Sequence, residues 1–151
     1  MNEELLGISV AQRVIHQSAV LRLLGAVVNY ACSVDIRVSV AVVDTAGLLA
    51  GFVRMNSAFL VSERLARTKA RCATGLGMAP DAAEKILASE APRVRNALMM
   101  QPDFVLIRGG MPILDMEILI GGIGVSGASE AQDVACALVG LKVLGAEDSQ
   151  R

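Results

Sequence analysis

Two strand-like runs set three residues apart restrict the topology of this chain more than any other feature. Residues 38–44 and 48–55 are rich in β-branched and apolar side chains and flank Thr45-Ala46-Gly47. Parallel neighbours need a crossover of roughly a dozen residues, so these two runs must pair antiparallel as a hairpin. Three more apolar runs, 104–107, 111–114 and 117–125, come late in the chain, with Arg108-Gly109-Gly110 turning between the first two. Helical spacing marks the rest. Ser9-x-x-Gln12 has capping-box form ahead of Val10, Val14, Leu21, Leu24 and Val28, which predicts a first helix to about Ala31; His16, Val20, Leu23 and Val27 form a second apolar stripe on it. A helix over 57–76 carries Glu63 and Arg67 as an i,i+4 pair. Asp81-x-x-Glu84 and the Ser89/Pro92 region open two short helices, and Ser129-x-x-Gln132 caps a last one that ends near Gly145. The order α-β-β-α-α-α-β-β-β-α keeps strands in hairpin groups, an α+β pattern built on an antiparallel sheet.

Length and composition bound the rest. A chain of 151 residues suits one domain, 1–151, with a real core. Apolar residues make up 54% and charged residues 19%, against about 45–50% and 25% in average domains. That excess predicts the apolar interfaces of a homo-oligomer. No apolar run reaches the ~18–20 residues of a membrane span, and the N-terminus has neither the basic start nor the apolar core of an export signal, so a cytoplasmic protein is expected. Cys32, Cys72 and Cys136 are odd in number and lack C-x-x-C pairing, which predicts neither disulfides nor a metal site. A net charge of −1, with one Tyr, three Phe and no Trp, offers nucleic acid neither a positive field nor stacking platforms.

The stretch from Glu117 to Asp133 carries the chemistry worth weighing. A buried-looking strand runs through glycines into a capped helix, and Gly122-x-Gly124-x-x-Gly127 fits the dinucleotide fingerprint. That fingerprint needs a second strand ending in an acid about 20 residues later, and here only a helix and a polar tail remain. The narrower expectation is that backbone amides at the helix start dock an anionic or carbonyl group. Asp133 lies in the first turn of that helix, where the macrodipole favours a carboxylate by about 0.3–1 kcal/mol with or without a ligand. Ser126 lacks the G-x-S-x-G elbow and a nearby base, so acyl transfer is set aside. Lys69 sits among Arg64, Arg67 and Arg71 and could hold a carboxylate, serve as a base after its pKa falls, or lie on a solvated face. Arg54, beside Asn56, could clamp an acid or make a surface ion pair. His16, the only histidine, is the one imidazole the chain could offer as a ligand; its competing role is a helix residue packed at an interface. Cys72 and Cys136 are the thiolate alternatives.

Several segments occur in one order across nearly the whole chain: Val42-Val-Asp-x-x-Gly47, Arg54-Met-x-x-Ala58, Lys69-Ala70, Gly109-Gly-x-Pro-Ile113, and Gly121-x-Ile-Gly-Val-Ser-Gly127 with Asp133. Together they resemble the GlcG/HbpS family, also found as the C-terminal domain of PduO-type proteins. The resemblance implies a profilin-like fold, an antiparallel five-stranded sheet flanked by helices, assembled into dimers or larger rings. It also implies ligand-binding roles for Arg54, Asn56, Lys69, Gly109, Gly110, Gly124, Ser126 and Gly127, a haem-holding role for His16, and a catalytic role for Lys69 and Asp133 in any member that turns over substrate. Asn56-Ser57 stands where relatives commonly have Asp-Gly, and Asp115-Met116-Glu117 replaces a turn that commonly holds glycine. The leading expectation is a cytoplasmic oligomeric ligand-binding protein that takes haem or another tetrapyrrole. One alternative is an isomerase, dehydratase or hydrolase acting on a small oxygenated acid. The other is an accessory subunit of a diol, glycolate or corrinoid-dependent enzyme system.

Overall fold

The computed structural model describes residues 7–145; residues 1–6, part of the stretch read for an export signal, and the polar tail 146–151 lie outside the described residues. The elements run α1 (Gln17–Ser33), β1 (Ser39–Asp44), β2 (Leu49–Arg54), α2 (Leu60–Leu76), α3 (Pro80–Ala88), α4 (Pro92–Met99), β3 (Gly110–Asp115), β4 (Ile118–Ser126) and α5 (Glu130–Val143). The strands form one antiparallel sheet in the order β2-β1-β4-β3. The β1–β2 hairpin closes as its short connection requires, with Asp44 Oδ1 accepting from Ala46 N at 2.9 Å and Leu48 N at 3.1 Å.

The two faces of the sheet are built from residues of different size. Val40 and Val42 of β1, with Ile123 and Val125 of β4, point to the face covered by Leu23 and Val27 of α1 and by Cys136, Ala137 and Leu141 of α5. The alternate residues Ala41 and Val43 meet Ala66 and Ala70 of α2 on the other face. There β4 contributes glycine. A Cβ on Gly124 would lie 2.0 Å from Ala66 O and 2.5 Å from Ala70 N, so the α2 backbone rides on the strand at a distance only glycine permits. Gly124 also pairs with Ala41 on one side and Gly110 on the other. Gly122 and Gly124 of the fingerprint-like set therefore serve as a seat for α2, whereas Gly127 abuts Arg37 and Val38.

Two expectations need correction. The sheet has four strands, not five: residues 104–107 form no strand. Val105 exchanges its backbone bonds with the Cys72 thiol, at 3.4 Å each way, and Leu106 and Phe104 pack with Ala83 and Leu87 beneath α3 and α4. The first helix starts at Gln17, not after Ser9, because Ile15 N donates to Ile120 O at 2.9 Å and so holds the incoming chain extended. The core face of α1 consequently centres on the second stripe, with Val20, Leu23 and Val27 buried; of the first stripe Leu24 is buried and Leu21 exposed. The two short helices form where expected, opened by Pro80 in α3 and Pro92 in α4, while the Asp81 and Glu84 carboxylates pair with Arg108, Asp81 at 3.3 Å.

The capping box of α5 is present as predicted: Ser129 Oγ accepts from Gln132 N at 3.2 Å and Gln132 Oε1 accepts from Ser129 N at 3.1 Å. Ser129→Ala is expected to cost about 1 kcal/mol in urea unfolding, with Ser129→Gly milder by several tenths.

Candidate functional site

Six of the residues singled out in the sequence gather where α2, the start of β3, the end of β4 and α5 meet. Lys69 Nζ donates to Val125 O at 2.8 Å and to Asp133 Oδ2 at 3.1 Å, and the two side chains are 1% and 4% exposed. The other carboxylate oxygen of Asp133 accepts from Ala128 N at 3.1 Å. Gly109 closes the cluster: at φ 121° it sits where a Cβ would lie 3.1 Å from Lys69 Nζ and 2.5 Å from Val125 O. Gly110 abuts the backbone of Lys69, and Ser126 and Gly127 lead from β4 into α5. Burial pushes the Asp133 carboxyl up, against the downward pull of Lys69 and the Ala128 amide. The result is a solvent-shielded ion pair tying a helix on one face of the sheet to a helix on the other. In this arrangement neither group meets a dissolved substrate. The amides that start α5 serve the helix itself, Ala128 N on Asp133 and Ser129 N on Gln132.

Arg54 and Asn56 stand apart from that cluster. Arg54 pairs across β1 with Ser39, which in turn faces Ser126, so two strand spacings, roughly 9.6 Å, separate the two backbones. The Arg54 guanidinium donates to Ala58 O at 3.0 Å, and Asn56 is exposed in the turn that follows.

His16 lies at a different place again, in a groove of about 560 Å³ between the start of α1 and the β3–β4 hairpin. Ile120 and Leu144, both partly exposed, give it apolar lining, and Arg13 and Arg22 line it together with His16. Arg13 is held by an ion pair to Asp115, and the Ile15–Ile120 backbone bond fixes the two walls against each other. His16 caps α1, its Nδ1 accepting from Ser18 N at 3.1 Å with Ser18 Oγ 2.9 Å away. The cysteine alternatives are poor ligands here, because burial pushes the Cys72 thiol up and the Cys136 thiol to about 11. Arg13, Arg22 and Met116 are groove residues that sequence reasoning passed over. The basic residues flanking His16 were a signal, but reading 9–16 as helix concealed it. Among the described residues no group of three or more His, Cys, Asp or Glu is placed to hold a metal ion, and no helix is long and apolar enough to cross a membrane.

The family model described as haem degrading protein HbpS-like matches residues 15–142. The chain belongs to the HbpS-like family. This is the GlcG/HbpS resemblance that the motifs carried. The HbpS-like chain is 31% identical over 119 residues to the corrinoid adenosyltransferase PduO of Salmonella typhimurium, covering 79% of itself but only 35% of that relative, about a third of its length. Among solved structures it is similar to the Klebsiella pneumoniae protein ORFY, with TM-score 0.83, 26% identity and coverage of 92% and 96% of the two chains. A double mutant of Streptomyces reticuli HbpS gives TM-score 0.82 at 28% identity, covering 92% of each chain. A PduOC–haem complex gives TM-score 0.78 at 29% identity, covering 86% and 94%. Both the Lys69–Asp133 cluster and His16 fall inside the span that matches the HbpS-like family.

Proposed function

We propose that this chain is a cytoplasmic, homo-oligomeric tetrapyrrole-binding protein whose ligand is haem, held in the groove beside His16. The observation that carries this reading is the position of the single imidazole, in a groove that also has apolar lining, two guanidinium groups and the carboxylates of Asp115 and Glu117, in a chain similar to one crystallised with haem. The groove suits the group. Haem is a flat apolar disc with carboxylates at one edge and an iron that accepts imidazole, and about 560 Å³ lies within the usual range of ligand pockets. Ile120 and Leu144 would meet the disc, and Arg22, the guanidinium not paired to Asp115, the propionates. Haem, when bound, supplies iron-centred redox chemistry. Phe59, Leu60 and Val61, 71%, 80% and 63% exposed at the start of α2, support the homo-oligomer, since three adjacent large apolar side chains are costly to leave in water. In this reading the Lys69–Asp133 pair belongs to the scaffold.

His16 has one nitrogen to spare. Its Nδ1 accepts the capping bond from Ser18 N, which in a neutral ring places the proton on Nε2. Ligation through Nε2 requires the other tautomer, with Nδ1–H donating to Ser18 Oγ. Haem binding and helix capping therefore compete for one atom.

His16→Asn separates these roles, since Asn is among the best N-caps and cannot ligate haem iron as imidazole does. Wild type is expected to bind one haem per chain with a sharp Soret band. His16→Asn should keep its circular dichroism and lose affinity by about tenfold or more, as even the outer-shell partners of metal ligands are worth roughly 10–100-fold. Identical spectra and affinity for the two proteins would remove the axial role, and binding that never saturates at one haem per chain would remove the haem reading. A parallel titration with cobalamin that saturates where haem does not would reassign the ligand to a corrinoid.

A further inference from the structure

We propose that Met116, at the tip of the β3–β4 hairpin, supplies a thioether as second axial ligand in the groove, opposite His16. This rests on the haem reading above and adds the other half of the coordination. The hairpin connection is two residues long, Met116 and Glu117, between the paired Asp115 and Ile118. Both connecting residues have left-handed backbone, φ 51° and 66°. A two-residue hairpin of that hand favours Asn-Gly, because a Cβ is crowded in the left-handed region. Met has neither the short polar side chain of Asn, which bonds locally there, nor the freedom of Gly. Core packing does not offset the strain, for Met116 is 82% exposed. A strained residue of the wrong type, left in solvent, points to a use for its side chain.

Its surroundings say which use. Met116 lines the same groove as His16. The residue before it, Asp115, holds Arg13, three positions ahead of His16, so the hairpin tip and the imidazole segment are braced together. From Ile120, bonded to Ile15, the hairpin extends four residues to Met116, roughly 13 Å at the strand rise. An imidazole, an iron and a flexible thioether arm bridge a gap of that scale. The thioether is neutral and soft, and it binds haem iron without releasing a proton. Both described buried cysteines lack that advantage.

The test uses full-length protein with Met116→Gly and Met116→Leu. Met116→Gly relieves the left-handed strain, so without haem it is expected to melt at the wild-type temperature or above; a clear drop would overturn the strain argument. Met116→Leu keeps bulk and strain but has no donor. Both variants should still bind one haem per chain through His16, with the ferric spectrum shifting from low spin towards high spin and the reduction potential falling, because a thioether axial ligand raises it. In the ferrous wild type, proton NMR should show a methionine methyl shifted strongly upfield by the haem ring current, absent from both variants. If wild type and Met116→Leu bind haem with the same spin state, potential and methyl spectrum, Met116 is not a ligand while the haem reading stands. If wild type fails to bind haem one to one, the earlier reading has failed and this one falls with it.

Discussion

Lys69→Met is expected to lower the unfolding free energy by about 3–5 kcal/mol at neutral pH, because it strands the Asp133 carboxylate, 4% exposed, without its counter-ion. The effect should depend on pH, with a sign that follows from the carboxyl group. Burial already holds Asp133 above its ordinary range, and Lys69 is the main group pulling it down. Without the ammonium the folded-state value rises further, so the folded variant binds a proton more readily than the unfolded chain does. The penalty is then absent below the unfolded carboxyl value of about 3.9, grows as pH rises through the window between that value and the raised folded one, and is constant above it. Urea melts of wild type and variant at a series of pH values read this directly. A difference that shrinks towards acid is the signature of a stranded carboxylate, whereas a difference independent of pH would mean lost packing. Lys69→Met/Asp133→Leu should recover most of the stability, since an apolar pair of similar volume carries no desolvation cost.

Gly124→Ala is expected to destabilise by about 3 kcal/mol, near the upper end for overpacking, because the added methyl collides with Ala66 O at 2.0 Å and Ala70 N at 2.5 Å. Those atoms are backbone, and no rotamer change relieves the clash. Gly75→Ala, in the helix that packs on Gly124, is the control. It lies exposed in α2 with nothing within 4 Å of its added methyl, so it should stabilise by roughly 0.5–1 kcal/mol. Equal and small effects at the two positions, measured in parallel denaturation curves, would show that α2 does not rest on the backbone of β4.

The elements read correctly from sequence are those whose decisive contacts are local. Asp44 reaches two to four residues to close the β1–β2 turn, and Ser129 and Gln132 cap α5 across three. The errors arise where a distant partner outweighed a local pattern. Ser9 and Gln12 had capping-box form, yet a backbone bond from Ile15 to Ile120 kept the chain extended as far as His16. Residues 104–107 had strand composition, yet Val105 found its hydrogen bonds at the Cys72 thiol, 33 positions away. The fingerprint glycines show the same effect. Their spacing is equally consistent with a phosphate cradle and with a seat for a helix, and the choice depends on α2 lying against β4.

By itself the sequence determined the antiparallel α+β arrangement, the β1–β2 hairpin, the capping box of α5, and family membership, because these rest on alternation, short-range hydrogen bonds and motif order. Only the tertiary structure decided that Lys69 and Asp133, 64 positions apart, are closed in an ion pair, and that His16 shares a groove with Arg13, Arg22 and Met116. The physical reason is that burial and proximity belong to pairs of residues brought together by packing. A side chain's neighbours across the sheet set its charge cost and its access to ligand, and no local pattern records them.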